Sequence, residues 1–130
     1  MISTAPNKET ELKRILAIDD GVEITQLLQM LLSAHGYAVD VALCGRDGLI
    51  QAMKQTPDLI LLDYMMPDKD GIQVLREIRQ TPGLEDIPVI MLTAIGKNEI
   101  IQNALKLNIS DYLLKPFDLK VLLSRIQKFI

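Results

Sequence analysis

Short, unbroken aliphatic runs alternate along the chain with longer segments in which apolar residues recur every three or four positions. The clearest runs are Ile15 to Ile18, Leu59 to Leu62 and Val89 to Leu92. Uninterrupted aliphatic runs bounded by polar residues suit parallel strands buried on both faces. Two more mixed segments, "YAVDVAL" (Tyr37 to Leu43) and "DYLL" (Asp111 to Leu114), fit strands at the edges of such a sheet. The longer segments carry amphipathic stripes at helical spacing. These stripes are Ile24, Leu27, Leu28 and Leu31; Leu49, Ala52 and Met53; Val74, Leu75 and Ile78; Ile101, Ala104 and Leu105; and Leu119, Leu122, Leu123 and Ile126. Turn signals separate the elements at His35-Gly36, Thr56-Pro57-Asp58, Thr81-Pro82-Gly83 and Lys115-Pro116. Alternating strand–helix pairs predict a doubly wound α/β domain, a five-stranded parallel sheet with helices on both faces. There is no internal repeat, low-complexity segment or second domain.

Bulk properties then narrow the class. A chain of 130 residues is one domain, large enough to bury a core without staples. Residues 1–12 are polar and patternless and predict a flexible arm, which leaves 13–130 as the folded domain. No apolar run approaches the length that spans a bilayer, and "MISTAPNKETELKR" is no signal peptide. A net charge of -3 with interspersed signs offers no footprint for nucleic acid or for an anionic membrane. Cys44 is the only cysteine and His35 the only histidine, which excludes an intrachain disulfide, a cysteine-rich zinc site and a multi-histidine metal site. Elimination therefore predicts a cytoplasmic protein. His35 reads as a solvated turn residue, Cys44 as a small filler near the second helix, and the methionines mainly as core.

The residues just past each predicted strand are more informative. The first run ends in Asp19-Asp20, the third strand in Asp63, the fourth in Thr93 and the fifth in Lys115. In an open parallel sheet these are all carboxyl ends, and ligands bind outside that edge where the strand order reverses. With the order 2-1-3-4-5 the reversal lies between strands one and three, placing Asp19, Asp20 and Asp63 around the crevice. Three carboxylates together cannot all stay charged without compensation: either their pKa values rise or a cation binds. An oxygen-only site of this size suits a hard divalent ion such as magnesium. A divalent ion, a lysine and a hydroxyl around a carboxylate would stabilise a phosphoryl group in transit, and the carboxylate itself can be the nucleophile. Singly, an aspartate after a strand is more often a helix cap or a turn former. Jointly, the five polar residues at four strand ends point to chemistry.

These motifs resemble the receiver domain of bacterial two-component response regulators, the chemotaxis-regulator-like, flavodoxin-like fold. The resemblance covers Lys13 to Ile130 and rests on "ILAIDD" (Ile15 to Asp20), "LILLDYMMPDKDG" (Leu59 to Gly71), "PVIMLTA" (Pro88 to Ala94) and "DYLLKPF" (Asp111 to Phe117). It implies that Asp63 is the phosphoacceptor and that Asp20, Asp63 and the backbone carbonyl of Met65 ligate Mg2+, with Asp19 acting mainly through a bound water. It also implies that Thr93 and Lys115 contact the phosphoryl oxygens and that the Lys115-Pro116 peptide bond is cis. Thr93 and Tyr112 fall at the switch positions: the threonine is expected to move toward the phosphate and the aromatic ring to swing inward behind it. That biases a surface made by the fourth helix, the fifth strand and the fifth helix. The phosphoryl donor is expected to be a sensor histidine kinase or a histidine phosphotransfer protein. The receiver of the signal is expected to be a downstream effector or a fused output domain. No contact with nucleic acid or membrane is expected of this domain. Such a protein is not a turnover enzyme, although it takes part in its own phosphorylation and dephosphorylation. Met65 and Ile95 occupy two positions that vary in the family; both are apolar, which predicts slow hydrolysis of the phosphorylated state. Gly21-Val22 stands where many members of that family carry more polar residues, which predicts a looser start to the first helix.

Rival assignments fit less well. A haloacid-dehalogenase phosphatase needs a second aspartate two residues after the nucleophile, where Met65 stands. An EF-hand loop through "MPDKDG" would begin on Met66 and contain Pro67, so Asp70 reads instead as a helix cap and Asp68 as a solvated turn residue. A flavin site would need a Ser/Thr/Gly-rich phosphate loop where "DDGVEI" stands. A phosphorylation-independent dimerisation or interaction receiver is the alternative of a different class, but such receivers lack one or more of the five key residues.

Overall fold

The computed structural model describes residues 12–130; the predicted arm, apart from Leu12, lies outside the described residues. The elements follow the expected alternation: β1 (Arg14–Ile18), α1 (Val22–Ala34), β2 (Ala38–Ala42), α2 (Gly45–Lys54), β3 (Leu59–Leu62), α3 (Gly71–Gln80), β4 (Val89–Thr93), α4 (Asn98–Lys106), β5 (Asp111–Leu114) and α5 (Leu119–Gln127). All strand pairs are parallel and the order is β2-β1-β3-β4-β5. The aliphatic runs supply β1, β3 and β4, and the mixed segments form the two edges.

Strand side chains alternate between two cores, one on each face of the sheet. Leu16, Ile18, Ile60, Leu62, Val89 and Met91 pack with Ala52 of α2, Val74, Leu75 and Ile78 of α3 and Ala104 of α4. Ile15, Ala17, Leu59, Leu61, Ile90 and Leu92 pack with Leu28 and Leu32 of α1 and Leu122 and Ile126 of α5. Every residue of β3 is buried, so this strand is fixed from both sides and delivers Asp63, the next residue, to a set position.

Several sequence expectations shift. Thr93 closes β4 from within the strand rather than following it. Met30, Met53 and Met65 are exposed, so the methionines are not mainly core; Met91 alone among those described is fully buried. Each exposed one lies on a helix or loop face turned from the two cores. Leu27 and Leu105 are likewise exposed despite their helical spacing. Among the described residues, no helix is long and apolar enough to cross a membrane.

Candidate functional site

The carboxyl ends of β1, β3, β4 and β5 bring the sequence-predicted residues to one edge of the sheet. Asp63 continues β3 and stays in register with β1 through its N–H, which donates to the Ile18 carbonyl at 2.9 Å. Asp19 is held by an N–H bond of 3.0 Å to the Ala42 carbonyl of β2. Asp19 and Asp63 are buried at 4% and 7% exposure, whereas Asp20 is exposed. One carboxylate oxygen of each of the three lies within 4.8 Å of the others. Three anions at this spacing, two of them dehydrated, need positive charge close by.

Lys115 supplies part of it. Its Nζ lies 2.5 Å from Asp19 Oδ2 and 3.6 Å from Asp63 Oδ2. Asp19 also accepts from the Gly21 N–H at 2.9 Å. Burial nevertheless pushes the Asp19 carboxyl above the usual carboxylate range, against the Lys115 and Gly21 hydrogen bonds that lower it and with the Asp63 charge adding to the rise. Such a carboxylate gains from any further cation. The donor set, all oxygen and partly open to water through Asp20, fits a hard divalent ion. The Lys115-Pro116 bond is cis, as the resemblance implied.

The predicted start of α1 is firmer than expected. Gly21 brings no capping side chain, but Asp19 takes its N–H and the buried Thr25 hydroxyl donates to its carbonyl at 3.0 Å. The missing polar residues are replaced by bonds from either side.

Thr93 is 1% exposed, and its Oγ1 accepts from the Ile95 N–H at 3.4 Å. The Tyr112 hydroxyl donates to the Ile95 carbonyl, with the ring packed against the core on the α2–α3–α4 face. Both predicted switch residues thus attach to the backbone of one residue in the β4–α4 connection. The ring already lies over the core in this structure rather than outside it. Burial raises the Tyr112 phenol above its ordinary value, with smaller contributions from Tyr64 and Asp63.

The β3–α3 loop borders the site from the other side. Met65 is 60% exposed and, with Asp20, Tyr64, Met66, Pro67 and Asp70, lines an open cleft of about 380 Å³. Asp70 caps α3 as expected, and Gln73 returns the bond to the Asp70 N–H, completing a capping box at 2.9 Å in both directions. The Asp70-x-x-Gln73 spacing carried that signal in the sequence. Asp68 does more than a solvated turn residue would. Its carboxylate accepts from the Gly45 and Arg46 N–H groups at 3.1 and 2.8 Å, which lowers its pKa chiefly through the Arg46 bond. Cys44 is the N-cap of α2, its sulfur accepting from the Asp47 N–H at 3.5 Å, rather than a filler. No sequence signal linked Asp68 to residues more than twenty positions away.

Comparison with known proteins places the chain in company. The family model described as the response regulator receiver domain matches residues 15–127. The phosphate regulon transcriptional regulatory protein PhoB of Rhizobium meliloti is 35% identical over 119 residues, covering 92% of this chain and 52% of that protein. The chain therefore spans about half the length of such curated relatives. Among solved structures, the chemotaxis protein CheY4 of Vibrio cholerae is 30% identical with a TM-score of 0.87, over 92% of this chain and 99% of that one. The beryllofluoride-activated N-terminal receiver domain of RstA from Klebsiella pneumoniae is 31% identical with a TM-score of 0.81, over 90% and 97%.

Proposed function

The chain belongs to the response regulator receiver domain family of two-component signalling, and from that premise we propose that Asp63 is its phosphoacceptor and residues 13–130 its signalling unit. The observation that carries this is the buried Asp63 carboxylate at the end of a fully buried strand, with Asp19, Asp20 and Lys115 gathered around it. The donor is a phosphohistidine on a sensor histidine kinase or a histidine phosphotransfer protein. An Asp63 carboxylate oxygen forms the new O–P bond as the donor's P–N bond breaks; the imidazole, already protonated on its other ring nitrogen, leaves as a neutral ring with that electron pair.

Most of the catalysis is charge placement. Lys115 stands between Asp19 and Asp63, so a phosphoryl group on Asp63 draws its ammonium away from Asp19. Thr93 donates its hydroxyl to a phosphoryl oxygen once it releases the Ile95 N–H. Asp19, Asp20, Asp63 and the Met65 carbonyl are the groups that would hold Mg2+, which neutralises phosphoryl and carboxylate charge when bound. Asp19 acts through water and through Lys115. Met65 and Ile95 flank the site with apolar side chains that cannot orient an attacking water, so self-catalysed hydrolysis is slow.

The switch acts on one residue. Thr93 and Tyr112 both bond to the Ile95 backbone, so a change at Thr93 reaches the start of α4 and the surface formed by α4, β5 and α5. An effector protein or an output domain in the same chain reads that surface in the cytoplasm. The longer relatives named as transcriptional regulators support such an effector. The test is incubation with Mg2+ and acetyl phosphate, followed by intact mass. Wild type should gain one phosphoryl group and Asp63→Ala none; an unmodified wild type, or an equally modified variant, rejects the assignment.

A further inference from the structure

The segment from Asp63 to Gly71 leaves the sheet and folds back on it. Its base is closed by the Gly71 N–H donating to the Tyr64 carbonyl at 2.7 Å and the Tyr64 N–H donating to Asp63 Oδ1 at 2.8 Å. Its return leg is fixed to α3 by the Asp70–Gln73 box and by Lys69 Nζ on Glu77 at 2.8 Å. Asp68 reaches sideways to another helix, binding the first-turn amides of α2 with both carboxylate oxygens.

We propose that Asp68 is a positioning residue: by clamping the N-terminus of α2 it fixes the outer leg of this loop, and so holds the Met65 carbonyl where the Asp19–Asp20–Asp63 cluster can share a Mg2+ ion with it. This rests on the metal assignment above. A carboxylate on two free N-terminal amides is a strong, charge-assisted attachment. The packing around it is close: a side chain at Gly45 would place its first carbon 2.6 Å from Val74 Cγ2 and 3.3 Å from Lys69 Cβ. The start of α2 thus comes close to Val74 of α3 and to Lys69 of the loop with no room for a side chain, and the Asp68 bonds lock that approach. Mg2+ demands near-ideal octahedral geometry and gains little from a carbonyl that wanders. A loop held in place before the ion arrives is worth affinity.

The competing role is plain helix capping, since the Cys44 sulfur is a weak acceptor and α2 needs Asp68 for its other amides. Two variants separate the roles: Asp68→Ala, and Asp68→Ala combined with Cys44→Ser, which gives α2 a hydroxyl cap of its own. Mg2+ affinity of the full chain is followed by amide shifts of Met65 and Met66, with the thermal midpoint measured alongside. Asp68→Ala should weaken Mg2+ binding about tenfold, the scale seen when groups that orient ligands are removed. The double variant should recover the midpoint without recovering the affinity, and Met65 and Met66 amide hydrogen exchange should stay raised in both. Unchanged affinity in Asp68→Ala, or affinity that returns with the midpoint in the double variant, overturns the proposal. A wild type with no saturable Mg2+ response instead defeats the metal assignment on which the proposal stands.

Discussion

Gly71→Ala tests how tightly the backbone of Asp63 is held. A first side-chain carbon at Gly71 would lie 2.5 Å from the Asp63 carbonyl oxygen, 2.8 Å from Tyr64 Cα and 2.9 Å from Met91 Cε. The methionine end can turn aside, but the two backbone atoms cannot. Ordinary carbon contacts begin at about 3.5 Å, so the loop has to retreat by roughly an ångström. That retreat breaks the 2.7 Å bond from the Gly71 N–H to the Tyr64 carbonyl at the start of α3. Leaving such groups unpaired costs about 1–3 kcal/mol, and overpacking a filled site costs about as much again. A combined loss of about 2–6 kcal/mol should lower the melting temperature by roughly 10–20 °C in a domain of this size. Asp63 sits on the strained side of the clash, so modification by acetyl phosphate should slow as well. The assays are thermal unfolding by circular dichroism and the rate of mass increase with Mg2+ and the phosphodonor. An alanine variant that melts with wild type and is phosphorylated at the wild-type rate would refute the claim that this approach fixes Asp63.

Three further outcomes are expected. Tyr112→Phe removes the bond to the Ile95 carbonyl and should destabilise by about 1 kcal/mol at neutral pH in urea unfolding. The folded phenol titrates above its ordinary value of 10.0, so its contribution is full below pH 10.0 and is lost as pH rises beyond it. The gap between Tyr112→Phe and wild type should therefore narrow in alkali, and a gap that widens contradicts the assignment. Met65→Asn places an amide beside the phosphorylated carboxylate and should speed dephosphorylation several-fold in a single-turnover decay; an unchanged rate removes the hydrolysis argument. Arg79 donates to the carbonyls of Leu107, Glu85, Ile87 and Asn108 at 2.7–3.1 Å, binding the end of α3 to the loops before β4 and β5. Arg79→Met orphans them and should cost about 2–4 kcal/mol in urea unfolding, whereas a loss within about 0.5 kcal/mol would show the bonds to be dispensable.

The fold was legible because its determinants are local or periodic. Four aliphatic residues in a row can be buried on both sides only inside a covered sheet, and β3 is buried throughout. The mixed composition of "YAVDVAL" and "DYLL" placed them at the edges for the same reason, since an edge strand meets water along one side. The cluster of Asp19, Asp20, Asp63, Thr93 and Lys115 was legible through topology: parallel strands put all their carboxyl ends on one side, so residues far apart in sequence share an edge. The hidden contacts have a different origin. Asp68 meets Gly45 and Arg46, and Arg79 meets Leu107 and Asn108, through loops whose course no repeating pattern dictates. A turn aspartate and a helix-end arginine are the commonest of surface residues, and nothing in their neighbours distinguishes a solvated one from a clamp. The exposed faces of Met53 and Leu105 escaped for a related reason: helical spacing fixes which residues share a side of a helix but not how far that side turns toward the sheet. Sequence pattern and topology thus locate Asp63 and the groups at its own edge. The loops that hold those groups still are set by single, long-range hydrogen bonds, and it is at Asp68, Gly71 and Arg79 that substitutions distinguish a receiver that merely folds from one whose site is held ready.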